Sequence, residues 1–179
     1  MEITTERLWL REFAEADAAA LIAYQSDPRY TQFYAPGEAT PDRARELLRL
    51  FIHWADDRPR RNLQLAVAEL EEPDGLVGCC GLRREVDASV AEFGIELAPI
   101  VWGRGYATEA ARAMLGFGFR ELRLEEVRAV SVSANRRFVA LAGRIGMVEI
   151  GSRPGPAWMS ARGWSQTEWR LTRAAFETT

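Results

Sequence analysis

The sequence predicts a single α/β domain over residues 1–179, built on a mixed sheet with an antiparallel middle. A chain of 179 residues is long enough to bury a sizeable core, and 47% hydrophobic with 27% charged content is ordinary for a globular protein. The runs Leu63 to Leu70 and Leu76 to Arg84 flank Glu71-Glu72-Pro73-Asp74-Gly75, a turn by composition, and together read as a hairpin. Around that hairpin, segments of helical periodicity alternate with strands in the order β-α-α-β-β-β-α-β-α-β-β. No repeat, linker or low-complexity stretch interrupts it.

The chain opens on a strand over 4–13, with Leu8 and Leu10 on one face. A helix over 15–25 is stopped by Ser26-Asp27-Pro28, and 29–38 is a loop carrying Tyr30, Phe33 and Tyr34. Thr40-Pro41 reads as an N-cap followed by a first-turn proline. The helix it starts runs to about residue 55, with Ala44, Leu47, Leu48, Phe51 and Ile52 at helical spacing. After the hairpin, a strand over 89–98 feeds Gly103 and Gly105, then an alanine-rich helix to about residue 121. A valine-rich strand over 126–133 follows, then a helix from Asn135 that Gly146 terminates. A short strand over 147–151, a loop over 153–163 and a strand over 166–173 close the chain.

Composition removes several chemistries. All 23 basic residues are arginine, so a Walker lysine, a pyridoxal Schiff base and a catalytic lysine are excluded. His53 is the single histidine, which rules out paired-histidine mechanisms; no metal site is expected, since one would have to be made of carboxylates. A net charge of −3 gives no reason to expect a nucleic-acid partner. No apolar run approaches a membrane span, and the first residues lack a signal peptide's basic region, so a cytoplasmic location is the expectation. The adjacent Cys79 and Cys80 lie on a strand and should point to opposite faces as packing residues.

The loop before the alanine-rich helix is the chemical focus. A glycine loop entering a helix exposes unpaired N–H groups at the positive end of the helix dipole, which suits a phosphate or pyrophosphate. A dinucleotide fingerprint would need a third glycine where Thr108 stands. An ordinary strand-to-helix turn is the plain alternative.

Trp102-Gly103-Arg104-Gly105-Tyr106-Ala107-Thr108-Glu109-Ala110 resembles the acetyl-coenzyme A signature of the GNAT superfamily of N-acetyltransferases, in its RimJ/RimL-type branch. Gly105 and Ala107 fill the last two fixed positions of the Q/R-x-x-G-x-G/A motif, while Trp102 replaces its first. The likeness continues in Thr5-Glu6-Arg7-Leu8-Trp9-Leu10-Arg11, in Asn135 followed by Gly146-Met147, and in Trp169-Arg170-Leu171-Thr172-Arg173. It implies a GNAT-like fold, a mixed, mostly antiparallel sheet flanked by helices, and acetyl-CoA as cosubstrate. The acceptor it implies is a primary amine, on a protein N-terminus or a small molecule, and it leaves a homodimer open.

On that resemblance, backbone amides of Gly103, Arg104, Gly105, Tyr106, Ala107 and Thr108 hold the pyrophosphate, with Trp102 at the motif's head. The strand through Ile95, Glu96 and Leu97 pairs with the pantetheine arm, and an N–H near Leu97 polarises the thioester carbonyl. Asn135 contacts the cofactor or caps its helix, and Arg104, Arg136 and Arg137 are available to phosphates or to solvent. Glu92 and Glu96 share a strand face, and Glu92 is preferred as base because it lies further from the loop. Ser133 is the candidate acid, because Ala142 occupies the position where some relatives place a tyrosine. Tyr30, Phe33, Tyr34, Trp158 and Trp164 are available to wall an acceptor cleft. The competing function is a module that binds acetyl-CoA without transferring it.

Overall fold

In the computed structural model, which describes residues 1–85 and 88–178, the strands join one eight-stranded sheet. They are β1 (Ile3–Thr4), β2 (Leu8–Arg11), β3 (Asn62–Glu69), β4 (Glu72–Arg83), β5 (Val90–Leu97), β6 (Glu126–Val132), β7 (Val148–Pro154) and β8 (Ser165–Thr172). Their spatial order is β1-β2-β3-β4-β5-β6-β8-β7. Every pairing is antiparallel except β5 with β6. The helices are α1 (Ala18–Gln25), α2 (Pro28–Thr31), α3 (Pro41–Asp56), α4 (Tyr106–Arg120), α5 (Arg136–Arg144), α6 (Ala157–Ser160) and α7 (Arg173–Glu177).

Local chemistry explains most boundaries. Thr40 accepts from the Arg43 amide through its side chain and Pro41 opens α3, so the expected cap and first-turn proline are both present. Ala110, Ala111, Met114 and Leu115 form the buried stripe of α4 against the sheet. Cys80 faces α4, with its sulfur 3.9 Å from the Ala110 carbonyl, whereas Cys79 faces Tyr24 on the other side. The two thiols are therefore on opposite faces, both buried and free.

Elsewhere the local reading needs correction. The expected first strand is two, because the Thr5 amide donates to the Leu8 carbonyl and the Leu8 amide donates to the Thr5 hydroxyl, which folds the chain back. The hairpin turn is tighter than composition suggests: β3 ends at Glu69, β4 starts at Glu72, and Pro73-Asp74-Gly75 lies within the strand. Register shifts after Val67 and Ala68 absorb the mismatch. Asp27 caps α2 by accepting from the Arg29 amide, so the segment read as a stop also starts a turn of helix. The final strand stops at Thr172, which caps the short α7. Among the described residues no helix is long and apolar enough to cross a membrane.

Two features position the site. Arg11 on β2 forms a two-point pair with Asp17, at 2.7 and 2.9 Å, and Asp17 also accepts from the Ala14 amide at 2.8 Å. This nearly buried pair fixes the start of α1, and so its far end at Tyr24 and Gln25, over β5. Gly78 on β4 lies opposite Leu97 on β5, where a Cβ would collide with the Glu96 carbonyl. The close approach of β4 to β5 at that level requires a residue without a side chain.

Candidate active site

The site forms where β5 and β6 part. Their parallel ladder holds Val90 to Glu126, Ala91 to Val127 and Glu92 to Arg128, and goes no further. Beyond it β5 continues to Leu97 bonded to β4, and β6 continues to Val132 bonded to β8. The facing edges of 93–97 and 129–132 therefore open into a notch in the middle of the sheet. Main-chain N–H and C=O groups along such an edge need partners, and an extended chain carrying its own amides can supply them.

At the end of β5 lies the glycine loop. Gly105 is the N-cap of α4 with φ +85°, and Gly103 has φ +83°, left-handed conformations that cost an L-residue about 1–2 kcal/mol. No side chain caps the first turn, which suits an external anion, although the Thr108 amide already donates to the Gly105 carbonyl at 3.1 Å and the Arg104 amide to the Val101 carbonyl at 3.4 Å. The loop is held from behind. Glu109 accepts from the Thr5 hydroxyl at 2.7 Å, the Arg7 amide at 2.8 Å and Arg7 Nε at 2.8 Å. Burial pushes the Glu109 carboxyl up, but these bonds outweigh it and hold it below the ordinary carboxylate range. Arg7 also donates to the Arg104 carbonyl at 2.9 Å, and Tyr106 lies against the guanidinium groups of both Arg7 and Arg104.

The predicted residues take different places around this frame. Trp102 donates from Nε1 to the Leu97 carbonyl at 2.8 Å and carries the Arg137 guanidinium 4.0 Å over its ring. It clasps the loop to the strand end, work that its replacement of Gln or Arg in the motif did not suggest. Arg104 pairs with Glu69. Asn135 caps α5 by accepting from the Phe138 amide at 3.1 Å. Ser133 accepts from the Ser165 amide at 3.0 Å, fastening the end of β6 to the start of β8. Ala142 is fully buried, and the segment after it turns with Gly146 at φ +81°, as expected for a helix end.

The two candidate bases do not share a hollow. Glu92 is exposed where the β5–β6 ladder is still closed, beside Arg83, Arg84 and Arg128 in a depression of about 350 Å³. Glu96 is half-buried at the notch, on the wall of a cleft of about 510 Å³. The preference for Glu92, which rested on distance from the loop, thus points into a different hollow.

Four side chains converge on Glu96. Tyr34 donates to Oε1 at 2.9 Å, and Gln25 donates to Oε2 at 3.1 Å. Tyr24 stands 3.5 Å and the Cys79 thiol 3.7 Å from Oε2. Tyr30 donates to the Tyr34 hydroxyl at 2.8 Å and stacks on its ring at 4.8 Å. Burial, then the Glu96 charge, pushes the Tyr30 and Tyr34 hydroxyls up; burial does the same to Tyr24 and to the Cys79 thiol. All four groups stay protonated at neutral pH, so they donate and none competes with Glu96 for the negative charge. Phe33, Trp158 and Trp164 instead pack into a separate cluster joining the first and last loops, with Phe33 and Trp164 at 5.7 Å.

Sequence reading did not single out Tyr24 or Gln25. The available signal for Gln25 is a polar residue ending the otherwise apolar α1, Ala-Ala-Ala-Leu-Ile-Ala-Tyr-Gln. The Arg7–Glu109 clamp had less warning, since the partners are 102 residues apart.

A sheet notch beside a helix N-terminus, with a carboxylate at the notch, frames the site. Residues 7–148 match the acetyltransferase (GNAT) domain. The uncharacterized N-acetyltransferase p20 of Bacillus licheniformis is 30% identical over 127 residues, 70% of each chain. An acetyltransferase (GNAT family) from Bacillus anthracis superposes with a TM-score of 0.80 at 24% identity, over 96% of this chain and 98% of that one. Spermidine N-acetyltransferase from Vibrio cholerae, solved with CoA and spermine, gives 0.78 at 20% identity, over 96% and 99%. The chain belongs to the GNAT family of N-acetyltransferases.

Proposed function

We propose that the protein transfers the acetyl group of acetyl-CoA to a primary amine by direct attack on the thioester, with Glu96 as the base. The observation that carries this reading is the position of Glu96. It is a half-buried carboxylate on a cleft wall, on the part of β5 that runs on beyond its ladder with β6. The RimJ/RimL-type branch is the part of the family whose motifs the chain carries, and acceptors of that branch are amines on proteins or small molecules.

The residues fit acetyl-CoA. Loop and first-turn amides within 103–108, apart from those of Arg104 and Thr108 that already bond the Val101 and Gly105 carbonyls, hold the pyrophosphate at the head of α4, where the dipole favours negative charge. The open edges of β5 and β6 receive the amide-bearing pantetheine arm. Trp102 acts through the Leu97 carbonyl, keeping loop and strand end in register, with the Arg137 guanidinium over its ring. Acetyl-CoA supplies the acetyl group and a thiol that departs as the new C–N bond forms.

The chain's part is proton management and orientation. An amine attacks only as the free base, and the Glu96 carboxylate takes the ammonium proton. Tyr34 and Gln25 hold that carboxylate in one rotamer, with their hydrogens fixed on its oxygens. An amide of the Leu97 strand end polarises the reacting carbonyl. Ser133 is engaged as an acceptor between β6 and β8, which leaves its own hydrogen free for the departing thiolate. The coenzyme complex of the Vibrio cholerae neighbour supports a fold that seats CoA and an amine together.

Release of free CoA thiol, followed across a panel of primary amines and N-terminal peptides, tests the reading. Turnover on at least one amine supports it. Stabilisation by acetyl-CoA in a thermal-shift measurement, with no thiol released from any amine, would instead support a binding module.

A further inference from the structure

The cleft that holds Glu96 is unbalanced in charge. Its lining includes four carboxylates, Glu38, Asp42, Glu46 and Glu96, against one guanidinium, Arg43. At the inner end, every group hydrogen-bonded to Glu96 is neutral: two tyrosines, a glutamine and a thiol. No arginine pairs with Glu96 among the described residues, although the chain carries 23 basic side chains. A half-buried carboxylate bonded only to neutral donors has no countercharge beside it, and a cation entering the cleft is its natural counterpart.

The outer end repeats the imbalance more weakly. Glu46 meets Arg43 at 3.1 Å and Asp42 meets Arg45 at 2.7 Å, both as exposed pairs on the first turns of α3. Such pairs are worth little and exchange readily for another cation. Glu38 is exposed on the loop before α3, forms no ion pair among the described residues, and completes the rim. A carboxylate-bearing acceptor would have to pass this rim against like charge.

We infer that the acceptor is an amine carrying a second positive charge, a diamine or longer polyamine, with one nitrogen at Glu96 and the other at the rim carboxylates Glu38 and Glu46. The inference rests on the transfer reading above. In it the inner nitrogen gives up its proton to Glu96 and forms the new C–N bond, while the outer nitrogen stays protonated and only binds. The tyrosine pair between the two ends supplies a neutral wall, Tyr30 stacked on Tyr34, along which an alkyl chain lies. The cavity of about 510 Å³ has the size of a small-molecule site rather than of an extended peptide groove.

The test compares 1,4-diaminobutane with butylamine, and both with a glycine-led tetrapeptide, by CoA thiol release. The expected result is a kcat/KM for the diamine at least about five-fold above the monoamine, the gain of one or two screened ion pairs. That advantage should shrink as salt rises. A Glu38→Gln, Glu46→Gln double variant should bring the ratio close to one. Equal turnover of diamine and monoamine, or preference for the peptide, overturns the charge inference and leaves amine transfer standing. Absence of turnover with every amine, while acetyl-CoA still stabilises the protein, overturns the transfer reading and this inference together.

Discussion

The two sides of the notch are built by different means. On the loop side the groups offered to a ligand in the proposed reading are main-chain amides, set by two left-handed glycines and by the start of α4. On the cleft side they are side chains from α1, α2, the loop after it and β5, brought together over sequence separations of 62 to 72 residues. The first arrangement needs particular backbone angles and tolerates varied side chains around them. The second needs particular hydroxyl, amide and carboxyl groups on a correctly placed scaffold. A backbone site fixes which cosubstrate class fits, whereas a side-chain site sets which acceptor is served.

The comparison breaks most completely at Gly105. Gly105→Glu forces a non-glycine residue to φ +85° and sets a carboxylate at the α4 N-terminus, so stabilisation by acetyl-CoA should vanish in a thermal-shift assay. The apoprotein should still melt cooperatively, because a Cβ there meets only the flexible end of Arg7, at 3.3 Å. The mirror experiment is Glu96→Gln. We expect kcat to fall about a hundred-fold or more with acetyl-CoA stabilisation retained. Comparable loss of both readouts would mean that the two sides are not separable.

A third change acts on the cleft through its scaffold. Asp17→Ala leaves Arg11 without its partner where the side chain is only 12% exposed, and should cost roughly 3 kcal/mol in denaturant unfolding. Turnover at permissive temperature should suffer more than acetyl-CoA binding, since α1 carries Tyr24 and Gln25 but not the loop. On the loop side, Trp102→Phe removes the bond to Leu97. It should weaken acetyl-CoA binding about five-fold, equivalent to roughly 1 kcal/mol, in a calorimetric titration.

The smallest effect concerns acid. Because the folded protein holds Glu109 below its ordinary value of 4.5, the unfolded chain binds the proton more tightly. The stabilisation is complete above that ordinary value and is lost as pH falls through the lower, folded one. Stability of Glu109→Gln should therefore vary less with pH on the acid side than that of the parent protein. An unchanged acid slope in urea titrations would remove the Arg7–Glu109 clamp from the account of the loop.

Legibility in the sequence followed the same division. The glycine loop, the Thr40 cap, the Gly146 helix end and the opposed faces of Cys79 and Cys80 all follow from local rules of backbone geometry and period. The fold class followed as well, from the alternation of Leu63, Leu65 and Val67 with Gln64 and Ala66 and from the turn composition that follows. What was not legible depends on distance. Glu92 and Glu96 are equivalent by period. Only the point where β5 and β6 separate, and the arrival of Tyr34 and Gln25, distinguish them. Trp102 looked like a departure from a motif because its partner is a carbonyl, which no sequence pattern displays.

The ion pairs that brace this molecule have a chemical consequence. Arg7 with Glu109, Arg11 with Asp17, Arg60 with Glu12 and Arg104 with Glu69 all use guanidinium, and the sequence offers no ε-amine anywhere. A guanidinium stays protonated at physiological pH and is a poor nucleophile, whereas a lysine would exist partly as free base. In an N-acetyltransferase, which handles an acetyl thioester, these guanidinium braces are poor targets for stray acylation, and the amine among the ion pairs is that of Met1, held by Glu12 at 2.7 Å.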